Sequence, residues 1–293
     1  MARYSNIMIG GMSSCYMNGR QISVIDGEVY VDGVHYVPAD GEHVTKDDPF
    51  TPGKMVEHTF EVSNDYDSIM SKGFFDVVFK QVDKDEACGV TGRLPENLIK
   101  KMEVRVEAGT LVISMKPGSY NLNLLETSTI YVYNKTLKDV SSSGSGDFTI
   151  EGSLDTDGKD FSARTSGSSD FKSGKIKATK ANVSINSSGS GDIDIDGADC
   201  QIFLVGISGS ADVDCGTVNS KMCSISIKGS GDVSIDGKTD TVEFSIAGSG
   251  DIQAGGFKAK SGKASVAGSG DITCNVERLS DRVRGSGDIN NRY

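Results

Sequence analysis

The sequence predicts an all-β chain: a parallel β-helix, or β-solenoid, with rungs of about 20 residues, preceded by a small N-terminal β-hairpin unit. Three observations carry this. The phrase Gly-Ser-Gly-Asp, with small substitutions at its third position, recurs from Gly144, Gly167, Gly189, Gly209, Gly229, Gly248, Gly268 and Gly285. Successive copies start 17 to 23 residues apart, the step of stacked repeat architectures. The flanking residues alternate apolar with polar, the period of strands with one buried face.

Each copy reads as a corner. Its serine is Ser145, Ser168, Ser190, Ser210, Ser230, Ser249, Ser269 and Ser286, and its aspartate Asp147, Asp170, Asp192, Asp212, Asp232, Asp251, Asp271 and Asp288. The third position is Gly146, Ser169, Gly191, Ala211, Gly231, Gly250, Gly270 and Gly287, so only a small side chain fits there. The residue after each Asp is Phe148, Phe171, Ile193, Val213, Val233, Ile252, Ile272 and Ile289, and every second residue from there points inward. The approach to the corner alternates too, as in Phe203, Val205, Ile207 and Val242, Phe244, Ile246. Such a unit cannot bury its apolar face alone, so copies must stack in register. Parallel stacking at roughly 4.8 Å gives a rod of about 38 Å. Propeller blades need about 40 to 45 residues, twice what is present.

Composition agrees. Aromatic residues make up 7%, Trp is absent and Gly numbers 36 among 293 residues, material for thin coils rather than for a thick globular core. Solenoids escape the usual size limit because they grow in one dimension. A net charge of −11 argues against a nucleic acid as partner. No run reaches the roughly 18 apolar residues of a membrane span, and Ile7 to Met12 is too short and broken for a secretory core, so the chain as it stands reads as cytoplasmic. Cys215 and Cys274 share a column with Ile150, Ile195 and Ile235, and Cys223 one with Phe203 and Val242, so these three read as small buried hydrophobes. Cys15, Cys88 and Cys200 show no pairing pattern.

In chain order, residues 1–53 form the small unit. Ile22 to Ile25, Asp26-Gly27 and Glu28 to Val31 read as strand, turn and strand, with Asp32-Gly33 leading into Val34 to Val37. Pro38 to Gly53 is a polar linker with three prolines. Residues 54–293 form the solenoid domain. Gly73-Phe74-Phe75-Asp76-Val77 is an early, bulkier corner. Pro95 to Met102 predicts a short helix covering the N-terminal end of the stack. Val104 to Val106, Leu111 to Met115 and Thr129 to Tyr133 read as strands, with turns at Ala108-Gly109 and Pro117-Gly118. No capping segment follows the last rung, where Arg282, Arg284 and Arg292 discourage strand addition. That open end, or the N-terminal unit, is the expected route to a homo-oligomer.

Tyr66-Asp67-Ser68-Ile69, the Gly73 corner, Leu94-Pro95-Glu96-Asn97-Leu98, Glu107-Ala108-Gly109-Thr110-Leu111-Val112-Ile113 and the Ser-Gly-Ser-Gly-Asp repeats follow in order. Over roughly residues 57–293 the chain resembles the head GIN domain family of auto-transporter adhesins, common in Bacteroidetes. The resemblance implies a β-solenoid, mostly exported or at the cell surface, with no catalytic set to carry over. This chain departs from the family's usual export or lipoprotein signal. Its segment Ser23 to Gly33 is similar to a short leader on signal-less relatives in cells and phages.

The Asp column is the main candidate site. Carboxylates about 4.8 Å apart repel by roughly 1 kcal/mol per neighbouring pair even in water, so something must compensate. One reading has each Asp capping its own corner; the other has Asp192, Asp212, Asp232, Asp251 and Asp271 holding Ca²⁺ through oxygen ligands. Calcium-binding nonapeptide repeats have a shorter period and denser glycine, which favours the structural reading, with corners at Gly189, Gly209, Gly229, Gly248 and Gly268. Asp155, Asp157 and Asp160 cluster in an irregular rung, where the carboxylates of a carbohydrate-active enzyme would be sought, but solvating a turn is the favoured reading of them. His35, His43 and His58 lack metal spacing. Asn134, Asn182 and Asn186 begin glycosylation patterns that matter only on secretion by a eukaryote. The reading is therefore a non-enzymatic, cofactor-free solenoid presenting a regular face to a protein or glycan partner. Its alternatives are a polysaccharide lyase or hydrolase on the same scaffold, and an intracellular oligomeric scaffold or inhibitor, phage-related by its leader.

Overall fold

A computed structural model describes residues 53–116 and 128–293 in full and, before them, the backbone of five short strands. Contacts divide the chain into two compact units, Met1–Pro52 and Gly53–Tyr293. In the first, Ile7–Ile9, Met12–Met17, Arg20–Ile25, Glu28–Val31 and Val34–His35 pair antiparallel in chain order. Ile25 stands opposite Glu28 and Val31 opposite Val34, so Asp-Gly alone separates the strands at both reversals. The proline-bearing linker, His43 and the Pro117-Gly118 turn lie outside the described residues.

The second unit is a β-solenoid whose rungs stack in parallel, each with three faces. On the approach face, Gly73, Gly144 and Gly167 are register partners, as are Gly209, Gly229, Gly248, Gly268 and Gly285. On the exit face the column runs Val77, Phe148, Phe171, Ile193, Val213, Val233, Ile252, Ile272 and Ile289. A third face aligns Leu154, Ile176, Ala198, Val218, Gly237 and Phe257. Like stacks on like: the rings of Phe148 and Phe171 lie 6.1 Å apart and nearly parallel. Cys200, Cys215, Cys223 and Cys274 are all buried, and burial pushes the thiols of Cys215 and Cys223 up, with the Asp214 carboxylate adding to it at Cys215. They pack as apolar groups.

The first rungs depart from chain order. Thr110–Met115 and Thr129–Asn134 pair in parallel beneath Ser68–Gly73 and Asp76–Gln81, so the chain enters at the second coil and returns to build the first. The expected helical cover is only Glu96–Ile99, one turn with Leu98 buried and no side-chain cap on Pro95. Strands do the covering. Met102–Glu107 lies antiparallel on Thr110–Met115, Gly89–Pro95 on Thr129–Asn134, and Met55–Phe60 on Gly89–Pro95. The physical reason is that an edge exposes backbone donors and acceptors, which a strand satisfies and a short helix cannot. The outer strand carries Glu103 and Glu107 clamped on Arg105 at 2.8 and 3.3 Å, charges that discourage further pairing.

At the other end, the Asn291 side chain stands in for a strand. Its Oδ1 accepts from the Val276 N–H at 2.9 Å and its Nδ2 donates to the Val276 carbonyl at 2.8 Å. Asp281 occupies the register position of buried Ala264, and a carboxylate in a core column opposes continuation of the stack.

The interior also holds a polar vein. Two residues before successive corners stand Ser71, Ser142, Thr165 and Ser187, all buried, before the column turns apolar at Ile207. Ser142 shares a 2.6 Å hydrogen bond with Ser169, whereas the hydroxyls of Thr165 and Ser187 have no partner among the described residues.

Two stability measurements follow. At Gly248 (φ +153°) an added Cβ would overlap the Gly229 carbonyl oxygen, whereas at Gly152 (φ +76°) it meets nothing within 4 Å. Gly248→Ala therefore lowers unfolding free energy by about 2–4 kcal/mol and Gly152→Ala by only about 1–2, read by chemical denaturation; equal losses would refute the stacked corner. Thr165→Val removes an unpaired buried hydroxyl at nearly constant shape and raises stability by about 0.5–1 kcal/mol, a gain visible in Tm.

Candidate functional site

The corner row begins at Asp76, one coil before the first full repeat. Each carboxylate reaches across to the next rung rather than into its own turn. The Asp76 Oδ1 accepts the Asp147 N–H at 3.0 Å, and Asp147 accepts from Asp170 at 3.0 Å. The chain of bonds continues through Asp192, Asp212, Asp232, Asp251 and Asp271 to Asp288, at 2.7 to 3.0 Å. A second bond returns: the amide after each Asp donates to the carbonyl of the Asp one rung on, as from Phe148 to Asp170 and from Val233 to Asp251, both 2.9 Å. The corner serines add a third, each amide donating to the preceding corner glycine, as Ser249 does to Gly229 at 2.9 Å. The sequence-level idea of an Asp capping its own corner thus gives way to a bond between rungs, because parallel stacking brings the next amide closer than the local one. The five aspartates weighed as calcium ligands, Asp192, Asp212, Asp232, Asp251 and Asp271, each spend Oδ1 on an amide. Among the described residues no group of three or more His, Cys, Asp or Glu side chains stands together in a way that could hold a metal ion.

Electrostatics mark one member of the row. Partial burial raises the Asp147 carboxyl above its ordinary range; the Asp170 and Asp76 carboxylates push the same way, while the Asp170 amide and Lys172 oppose it.

Other sequence candidates have local roles. Asp155 accepts from the Asp157 N–H at 2.9 Å, and Asp160 accepts from the Asn182 N–H at 2.9 Å, so they shape the irregular rung. The His58 ring meets Phe60 edge-on at 4.7 Å. Asn134 is buried, its Nδ2 donating to the Tyr66 carbonyl at 2.8 Å.

With the corners occupied by backbone bonds, outward rows carry the chemistry available to a partner. On the approach face the row runs Ser141, Arg164, Asn186, Gly206, Ser226, Ser245 and Ser265. The missing side chain at Gly206 leaves a hollow of about 400 Å³ beside Arg164, Asn186 and Lys228. A second hollow, of about 570 Å³, lies where the third face turns into the approach face, beside Thr241, Glu243, Lys263 and Arg278. A third, of about 620 Å³, lies on the third face toward the C-terminal rung, lined by Lys238, Asp240, Lys258, Lys260, Asn275 and Arg292 among others. The sequence reading missed these hollows; the glycine breaking the outward row at Gly206 was the one visible signal.

Among known proteins, a family model described as "Putative auto-transporter adhesin, head GIN domain" matches residues 65–198 and 183–292. A solved "putative adhesin" from Parabacteroides merdae superposes with a TM-score of 0.70 at 18% identity, covering 82% of this chain and 97% of its own. A "putative lipid binding protein" from Parabacteroides distasonis gives 0.61 at 24% identity, covering 82% and 98%. A "putative adhesin" from Bacteroides fragilis gives 0.58 at 24%, covering 81% and 97%. At these identities the likeness is one of fold. No curated protein matches the chain. No helix among the described residues is long and apolar enough to cross a membrane.

The Asp147 carboxyl yields a pH test. A raised native pKa means the folded chain holds this proton more tightly than the unfolded chain, so ionisation costs stability as pH rises from the ordinary carboxylate range through the raised value. Asn keeps the accepting Oδ1 without the charge. Asp147→Asn therefore matches or exceeds the parent Tm at pH 7, and the difference closes below about pH 4; a large loss at pH 7 would show that the charge itself holds the rung.

Proposed function

Since the chain belongs to the family described as putative auto-transporter adhesin, head GIN domain, we propose that it is a non-enzymatic binding scaffold, adhesin-like, which recognises a partner through the outward rows of its solenoid. The observation that carries this is the division of labour in each rung. The corner carboxylates, the part of the sequence with the densest potential chemistry, are committed to amides of the next rung. The outward positions repeat in register and vary in type from rung to rung. A rigid array of polar side chains at strand spacing suits an extended ligand with its own repeat, because many modest contacts add along one axis. Function thus rests on what is displayed, not on the fold. The family's description supports a surface location.

The test is binding with a turnover readout. Full-length protein on a mixed glycan and protein array is expected to retain ligand on washing, while matched solution samples of the same glycans show no new reducing or unsaturated ends. Release of such ends would replace this reading with a carbohydrate-active enzyme.

A further inference from the structure

We propose that the third-face hollow near the C-terminal rung is a binding site for an anionic saccharide, held by Lys238, Lys258 and Arg292. This deepens the binding-scaffold reading and rests on it. A change in coil length lies beside the hollow. Between the last two full rungs, Gln253 pairs with Thr273 and Lys258 with Asn275, so five steps of chain on one rung face two on the next. The final corner spacing shortens to match, Gly268 to Gly285 against Gly248 to Gly268. Across the shortened stretch the Arg292 guanidinium lies beside Gly255, and the same residue lines the hollow.

Charge then selects the ligand. Lys238 and Lys258 are register partners on neighbouring rungs, both exposed, and neither has a carboxylate partner among the described residues. Among the described residues lining the hollow the acidic side chain is Asp240, tied to Lys260 at 2.7 Å, and this contact lowers the Asp240 pKa. Farther down the same row Asp199 is satisfied, taking Lys175 at 2.8 Å and the Asn219 amide at 2.9 Å. In a chain of net charge −11, Lys238, Lys258 and Arg292 thus stand together at this hollow without an ion-pair partner among the described residues. Two like charges at strand spacing cost repulsion that a bound anion removes. Asn275 supplies an amide and Tyr293, 75% exposed, an aromatic face at the rim. Cations spaced along an axis, hydrogen-bonding groups and an open ring fit a sugar chain with carboxylate or sulfate substituents. A nucleic acid duplex spreads its phosphates far beyond this hollow and would meet the acidic remainder of the surface, whereas a short acidic saccharide stays within it.

The experiment measures full-length protein against oligogalacturonate (carboxylate), heparin oligosaccharide (sulfate), neutral dextran, and phosphatidylglycerol vesicles, by calorimetry or biolayer interferometry at low and physiological salt. Expected are binding of one or both acidic saccharides, weakening with salt, none to dextran, and a loss of roughly tenfold or more in Lys238→Glu/Lys258→Glu. The control Lys84→Glu/Lys101→Glu, with the same change in net charge elsewhere, retains binding beyond the small loss from net charge. Thermal melts establish that both variants are folded. Equal loss in the two variants, binding of vesicles alone, or no acidic-saccharide binding overturns the proposal. Binding of neutral glycans untouched by either variant overturns it while leaving the scaffold reading standing, and cleavage of the saccharide would fell the scaffold reading itself.

Discussion

The structure depends on the hydrogen bond from the backbone amide of each corner aspartate to the carboxylate one rung below. Parallel backbone ladders hold strands side by side, yet they are nearly degenerate to sliding, and a one-residue slip would turn the core columns of Phe148 and Phe171 outward. The aspartate bond is met at one register only. It is paired with a return bond to the next aspartate's carbonyl, so each corner is clamped from both directions. Like charges about 4.8 Å apart would otherwise push the coils apart. The amides that receive each carboxylate offset this, and solvent screens the exposed oxygen.

Because corner and interior are used up by stacking, the rungs differ mainly where difference is harmless to the fold. Position 206 is Gly, its register neighbours are Asn186 and Ser226, and the backbone ladder passes through all three unchanged. Inside, the tolerance is narrower. Ser169 enters the small third position of the corner only because its hydroxyl finds Ser142 at 2.6 Å. The same vein leaves Thr165 and Ser187 unpaired, a local cost that the surrounding aliphatic columns outweigh.

The repeat made most of the solenoid legible before any coordinates. Once Gly, Ser and Asp are aligned, the inward columns follow from alternation, and Cys215 and Cys223 take their places among the aliphatics. Three features were not legible in that way. The Asp bond crosses rungs because its partner is distant in sequence and only stacking brings it close. The return of Thr110–Met115 beneath Ser68–Gly73 is a choice of topology that local pattern does not encode. The helix expected at Pro95 shrank to one turn because an unpaired edge demands hydrogen bonds that only another strand can supply. The polar vein was readable at a fixed offset from each corner, in Ser142, Thr165 and Ser187, but an alternation search registers serine as outward and passes over it.

The two ends of the second unit treat their exposed strand edges by different means. At the start, three antiparallel strands cover the parallel edge, and the reversal of direction means that no further rung of the repeat type matches the exposed surface. At the finish, a side chain does the work of a strand, with the Asn291 amide using its donor and acceptor on Val276, while Asp281 places charge where Ala264 was buried. A strand cap satisfies many backbone groups and needs a separate run of sequence. A side-chain cap satisfies two and needs only one residue, so it fits a rung already shortened. That economy leaves the last coil narrower than the one before, and the third face consequently has a step in it where side chains of successive rungs no longer cover one another. A rung that is shorter than its neighbour thus leaves a step in the stack as a geometric consequence, before any ligand is considered.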